Sequence, residues 1–214
     1  MLQAYDVVYL GNARVVMAQM LDVGVNCYGF SLRDFYDMFL DSFVSEQFEN
    51  GDYEVLVGHS GAELAFMVMD SVCFPYNRKA VTYTADRSEE YWLGWALAYY
   101  QWRTSFRFAD LDRAVPIETL FSMYSPYHEM DIRQFCDAVD GLYRETVPDT
   151  NLKRLRKRAG LTQSQLADAS GVSVRTLQQY EQRLKNINKA AAETVFQLSR
   201  ILGCSVESLL EKLD

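Results

Sequence analysis

Prolines are few, four in 214 residues, and glycines number eleven. With so few breakers, long segments are free to run as helices. No apolar run approaches the ~20 residues a membrane-spanning helix needs, so no span is expected. The opening "MLQAYDVVYL" holds Asp6 and neither Lys nor Arg. It lacks the basic-then-apolar order of a secretory signal, and a cytoplasmic protein is expected. The four cysteines, Cys27, Cys73, Cys136 and Cys204, form no CxxC pair and have no histidine at ligand spacing. Zinc spacings are therefore missing, and buried, reduced thiols are expected instead. His59 and His128 are the only histidines. No nucleophile motif and no glycine-rich phosphate loop appears. The acid pair Glu89–Glu90 reads as the solvated start of a helix rather than an acid/base couple. No catalytic residue, metal or cofactor is expected.

What is present is a dense supply of core. Hydrophobic residues make up 49% and aromatics 14%, too many for a disordered chain. The net charge is −8, but it is unevenly spread. Residues 1–148 hold 10 Lys and Arg against 22 Asp and Glu, a net of −12; residues 149–214 hold 11 against 7, a net of +4. The sign changes at "ETVPDTN", where Pro148 follows a helical run and precedes a cap-like Asp149-Thr150-Asn151 cluster. The expected organisation is all-α, with an acidic helical domain at 1–147 and a second domain at 148–214.

The second domain reads as five helices. Leu152, Leu155 and Ala159 make the apolar stripe of the first, which stops at Gly160. Thr162 caps "QSQLADAS", with Leu166 and Ala167 inward, and Gly171 gives the turn. Ser173 caps "VRTLQQYEQ", with Leu177 and Tyr180 inward. A fourth helix, "KAAAETVFQLSRIL", offers Ala192, Val195, Phe196, Leu198 and Leu202, and ends at Gly203. Ser205 opens a last helix with Val206, Leu209 and Leu210 on one edge.

The stretch "NLKRLRKRAGLTQSQLADASGVSVRTLQQYEQ" resembles the Cro/repressor, or XRE, family of helix-turn-helix domains, with the λ-repressor-like five-helix fold. The linked motifs are Leu-x-x-Leu-Arg, Gly-Leu-Thr-Gln, Leu-Ala, Gly-Val-Ser and Tyr-Glu, in order, within Asn151 to Lys212. The resemblance implies that the third helix enters the major groove of DNA. Val174, Arg175, Thr176 and Gln179 then face base edges: Arg175 suits guanine, Gln179 adenine, and Val174 or the Thr176 methyl a thymine methyl. The resemblance further implies phosphate contacts from Gln163, Arg156, Lys185, Asn186, Asn188 and Lys189, and a structural salt bridge between Arg156 and Glu181. One departure stands out. Arg183 occupies the place where the family often has glycine. Either the third helix runs on, or a non-glycine residue ends it at some cost.

Residues 1–147 read as helical too. A first helix is expected from about Tyr5 to Val25, burying Val8, Val15, Val16, Met20 and Val23. "SLRD" and "SGAE" look like capping patterns. Phe35, Met38, Phe39 and Phe43 form one stripe, and "FENGDYEVLVGH" reads as a loop or a short strand pair, the loop being favoured by its helical neighbours. Trp92, Trp95, Tyr99 and Trp102 recur at three- and four-residue steps, the mark of a central core helix or of a partner-binding face. Pro116 suits the first turn of a following helix, and Ile132, Phe135, Val139 and Leu142 stripe the next.

"YLGNARVVMAQMLDVGVN", "SGAELA" and "EYWLGWALAYYQW" are similar to segments of bacterial proteins that join such a region to a helix-turn-helix and stand beside toxin genes. The resemblances together imply a transcriptional regulator, a repressor or an antitoxin. It would bind double-stranded DNA at an operator of two half-sites as a homodimer, and hold a protein partner, a toxin, through the acidic domain. Dimerisation would use Val206, Leu209, Leu210 and Leu213, or the N-terminal domain. Two other classes stay open: a protein-interaction module in which DNA binding is secondary, and an enzyme fused to a regulator.

Overall fold

The computed structural model describes residues 3–78, 80–81 and 87–211. Its elements are helical, and no strand occurs among the described residues. The chain divides into two compact units, Met1–Thr146 and Val147–Asp214. No helix among the described residues is long and apolar enough to cross a membrane.

The first unit is organised around two helices, α1 (Val7–Asp22) and α5 (Glu89–Thr104). Between them in sequence lie α2 (Leu32–Asp41), α3 (Phe43–Asn50) and α4 (Gly61–Ser71). The chain then continues through α6 (Phe108–Ala114), α7 (Ile117–Ser122), α8 (Tyr124–Tyr127) and α9 (Ile132–Thr146). Side-chain caps start several of these. Ser31 accepts from the Asp34 amide, Ser88 from the Tyr91 amide, and Ser60 with Glu63 completes a capping box. Each such cap supplies an acceptor to an otherwise orphaned amide.

α1 and α5 run antiparallel. At one end the Trp102 indole donates to the Tyr5 carbonyl at 3.0 Å; at the other Ser88 Oγ donates to Asp22 Oδ1 at 2.6 Å. Small residues let the backbones meet. A Cβ on Gly94 would sit 2.6 Å from the Met17 carbonyl oxygen and 2.7 Å from Ala18 Cα. Around this pair lie fully buried Phe35, Phe39, Phe48 and Phe108, the last two with ring centroids 5.8 Å apart. Burying a phenylalanine contributes about 1.5–3 kcal/mol.

The acidic unit departs from the sequence reading in several places. α1 stops at Asp22 and continues as a π-helical turn, Val23–Cys27. Val8 and Val15 face outward, 73% and 38% exposed, because the buried stripe runs through Leu10, Ala13 and Met17. Val8 lies two residues, about 200° of helix, from Leu10, and Val15 lies at the edge of the buried side, one residue from Val16. Phe43 is also exposed. Ser42 leaves helical geometry (ψ 155°), so Phe43 starts a new helix rather than extending the stripe of α2. The expected loop "FENGDYEVLVGH" is instead largely helical: α3 ends on left-handed Gly51, and a π-helical turn spans Glu54–Gly58. Pro116 is the N-cap of α7, one residue ahead of the first turn. On α5 the fully buried side is Leu93, Ala96, Leu97 and Tyr100, while Trp92, Trp95 and Tyr99 are half-buried. Trp92 is covered by Tyr124 and Phe135, and Trp95 by the Arg14 guanidinium, 3.2 Å from its ring centre. Of the cysteines only Cys136 is buried; Cys73 is exposed.

The second unit holds α10 (Asn151–Arg158), α11 (Gln163–Ser170), α12 (Val174–Glu181), α13 (Ala192–Leu202) and α14 (Val206–Leu209). Its core is Leu152, Leu166, Ala167, Leu177, Ile187, Val195, Leu198 and Leu209. Ala159, Ala192 and Phe196, expected inward, are exposed. Ala159 ends α10 as its C-cap, and Phe196 lies one residue, about 100°, off the Val195–Leu198 stripe.

Candidate nucleic-acid interface

Two short helices and a tight turn set the candidate site. Thr162 and Gln165 form a reciprocal capping box at the start of α11, with amide contacts of 2.8 and 3.2 Å. Gly171 ends α11 in the left-handed region (φ 71°), a conformation that costs glycine nothing. Two residues on, Ser173 accepts from the Thr176 amide at 3.1 Å and opens α12. Leu166, Ala167 and Leu177 bury the inner faces and hold α11 against α12.

A polar brace fixes α12 to the other two helices. Arg156 of α10 donates through Nε and Nη2 to the two carboxylate oxygens of Glu181, at 2.6 and 2.8 Å. Its Nη1 donates to the Leu161 carbonyl at 2.7 Å. Gln163 Nε2 donates to the same Glu181 at 2.8 Å, and Gln163 Oε1 accepts from Gln178 at 3.4 Å. The Glu181 side chain is only 2% exposed and that of Arg156 11%. The carboxylate hydrogen bonds raise the Arg156 pKa, so the charge is held on. The expected salt bridge is therefore present as a paired, bidentate contact. Arg156 has inward partners on all three nitrogens. Gln163 likewise uses both ends of its amide within the brace.

The four residues expected to read bases stand differently from one another. Arg175 is exposed and forms no ion pair among the described residues. Gln179, one turn later, is half-buried, and its side chain has no hydrogen-bond partner among the described residues. The two are neighbours on one face of α12. The Thr176 hydroxyl is 2.9 Å from Ser173 Oγ, so its methyl is the part left for contact. Val174 is half-buried and packs against the core.

The exit of α12 resolves the question raised by Arg183. The helix does not run on. Glu181 is its last residue, and Arg183 takes the left-handed conformation itself (φ 60°). Its amide donates to the Tyr180 carbonyl, and the Lys185 amide returns to the Gln179 carbonyl at 3.1 Å. A non-glycine residue held there costs about 1–2 kcal/mol. Lys185 and Lys189 are exposed with no ion pair among the described residues. Asn186 instead caps a short 3-10 turn, Ile187–Lys189, by accepting from the Asn188 amide. Asn188 spends its side chain on Glu211, donating to its carbonyl at 2.8 Å and accepting from its amide at 2.9 Å. The Asn188 side chain is thus engaged within the fold at both ends of its amide, whereas Asn186 is exposed and engages only its Oδ1. Gln178 and Glu211 were missed in the sequence; their partners lie 15 to 60 residues away, beyond any local spacing.

Among the described residues no cluster of His, Cys, Asp and Glu is arranged to hold a metal ion. Residues 152–209 match the family model described as Helix-turn-helix. No curated protein and no solved structure matches the chain.

Proposed function

Residues 152–209 form an XRE-type helix-turn-helix domain of DNA-binding regulators, and we propose that this chain is a repressor that reads its operator through Arg175 and Gln179. The observation that carries this reading is their pairing. They sit side by side on α12 without internal partners, on a helix whose far end is locked by the Arg156–Glu181–Gln163 brace. A rigid helix with free polar tips is what base recognition requires. The Val174 and Thr176 methyl groups border this face. Lys185 and Lys189 supply phosphate contacts. The net of +4 on residues 149–214 is what the duplex meets within a screening length of about 8 Å.

The proposed assembly is a homodimer on two half-sites about one helical turn apart. An open groove of about 640 Å³ supports this: it is lined by Ala190, Ala192, Val195, Phe196, Val206 and Leu210 with Asn188 and Glu193 beside them, and Phe196 is 52% exposed. Leu209, one of the residues named for dimerisation, is fully buried and unavailable; Leu213 lies outside the described residues. The acidic unit, net −12, is the proposed seat of a basic protein partner, the toxin of an operon that this chain represses as antitoxin. Exposed Val7, Val8 and Tyr53 support an apolar component to that contact.

The test is DNA binding by the full chain to its own upstream sequence across a salt series. Arg175→Ala with Gln179→Ala should erase preference for that sequence while leaving salt-dependent, non-specific binding. Preference surviving both changes refutes the reading of α12. Co-purification with a neighbouring small protein, without any DNA binding, would favour an interaction module instead.

A further inference from the structure

We propose that Arg183 is a positioning residue: it clamps the exit of the recognition helix to Glu211 and to the Pro148 carbonyl, and does not itself touch DNA. The proposal rests on the DNA-binding reading above and names how that site is held.

The backbone poses the question. Residue 183 sits where left-handed geometry favours glycine, yet it carries a long cationic side chain. The direction of that side chain answers it. Nη1 donates to Glu211 Oε2 at 3.3 Å and Nη2 to the Pro148 carbonyl at 3.2 Å. A planar guanidinium can span two such acceptors; a lysine ammonium cannot do so with fixed geometry. Glu211 is the joint. Its other carboxylate oxygen takes the Asn151 amide at 2.7 Å, and its backbone amide and carbonyl pair with the Asn188 side chain. The start of α10, the exit of α12 and the 3-10 turn therefore meet on one residue. The segment 183–188 is pinned at both ends, and Lys185 lies within it. The Arg183–Glu211 pair is itself partly exposed, 38% and 24%, so it contributes little as an ion pair. Its value is the fixed position of the loop that carries Lys185 and Lys189.

The experiment uses the full chain. Arg183→Gly keeps the left-handed turn at lower backbone cost, so the fold should survive. Operator affinity should fall by about fivefold to tenfold, the equivalent of two modest hydrogen bonds. In a Lys185→Ala background Arg183→Gly should cost little further affinity, because the clamp acts through the position of that lysine. Glu211→Gln should give the same loss, and the double variant no more than either single, since both break one clamp. Amide exchange across 183–189 in the free protein should quicken alike in both single variants. A full, additive loss from Arg183→Gly in the Lys185→Ala background would make Arg183 a phosphate ligand in its own right and overturn the proposal. Unchanged exchange across 183–189 would also overturn it. If the wild-type chain binds no DNA at all, the reading of the domain fails, while the exchange measurement still decides the clamp.

Discussion

Removing the Glu181 carboxylate strands three donors at once. Glu181→Ala deprives Arg156 Nε and Nη2 and Gln163 Nε2 of their shared acceptor, all now within 2.8 Å. Breaking one partner of a buried pair costs about 3–5 kcal/mol. Arg156 keeps its bond to the Leu161 carbonyl and has 11% exposure, so the low end, about 3 kcal/mol, applies. The whole unit, residues 147–214, is expected to hold only about 3–10 kcal/mol. The loss therefore consumes much of its stability. All three tryptophans lie in the first unit, so their fluorescence is blind to this event. Amide exchange read on peptides from α10 to α12 is the suitable assay. Protection there should drop about a hundredfold, at roughly 1.4 kcal/mol per factor of ten, with α1 and α5 unchanged. Arg156→Met with Glu181→Leu should recover part of it, because the two Arg156 donors leave together with their acceptor while Gln163 Nε2 stays without one. A loss under about threefold, or a double variant no better than the single, would refute the view that these residues act as one buried unit.

Two further outcomes follow from the packing and the charges. Gly94→Ala places a methyl against backbone of α1, 2.6 Å from the Met17 carbonyl oxygen, and should destabilise the first unit by about 1–3 kcal/mol in denaturant unfolding. The Asp149 carboxyl is held below its ordinary value by hydrogen bonds from Lys153 and Lys157. Its contribution is therefore complete above the unfolded value of about 4 and is lost as pH falls through the lower folded value. Asp149→Asn should accordingly speed exchange at the start of α10 at pH 7 and make no difference at the lowest pH.

Much of the fold is local and so was legible. Ser31, Ser60, Thr162 and Ser173 cap helices because acceptor and donor lie three residues apart. The all-α fold follows from apolar residues recurring at helical spacing and from the scarcity of breakers. Within the candidate interface, the Arg156–Glu181 pair and the order α10–α11–α12 were visible through linked motifs. Which of the expected contact residues are free was not. Asn188 and Gln163 look like Arg175 and Gln179 in sequence, yet two are bound internally and two are open.

The sequence by itself determined where helices start, which side of most is apolar, and that positive charge gathers after Pro148. Those properties depend on neighbours within one or two turns. Only the tertiary structure decided that Val8 and Val15 face outward, that the segment around Glu54 winds as a helix, and that Arg183 holds a glycine's conformation. Each of these depends on partners far along the chain: α5 against α1, α1 against the Glu54–Gly58 turn, and Glu211 against the exit of α12. Contacts between residues distant in sequence leave no periodic trace, and they fix which of several locally allowed arrangements the chain adopts.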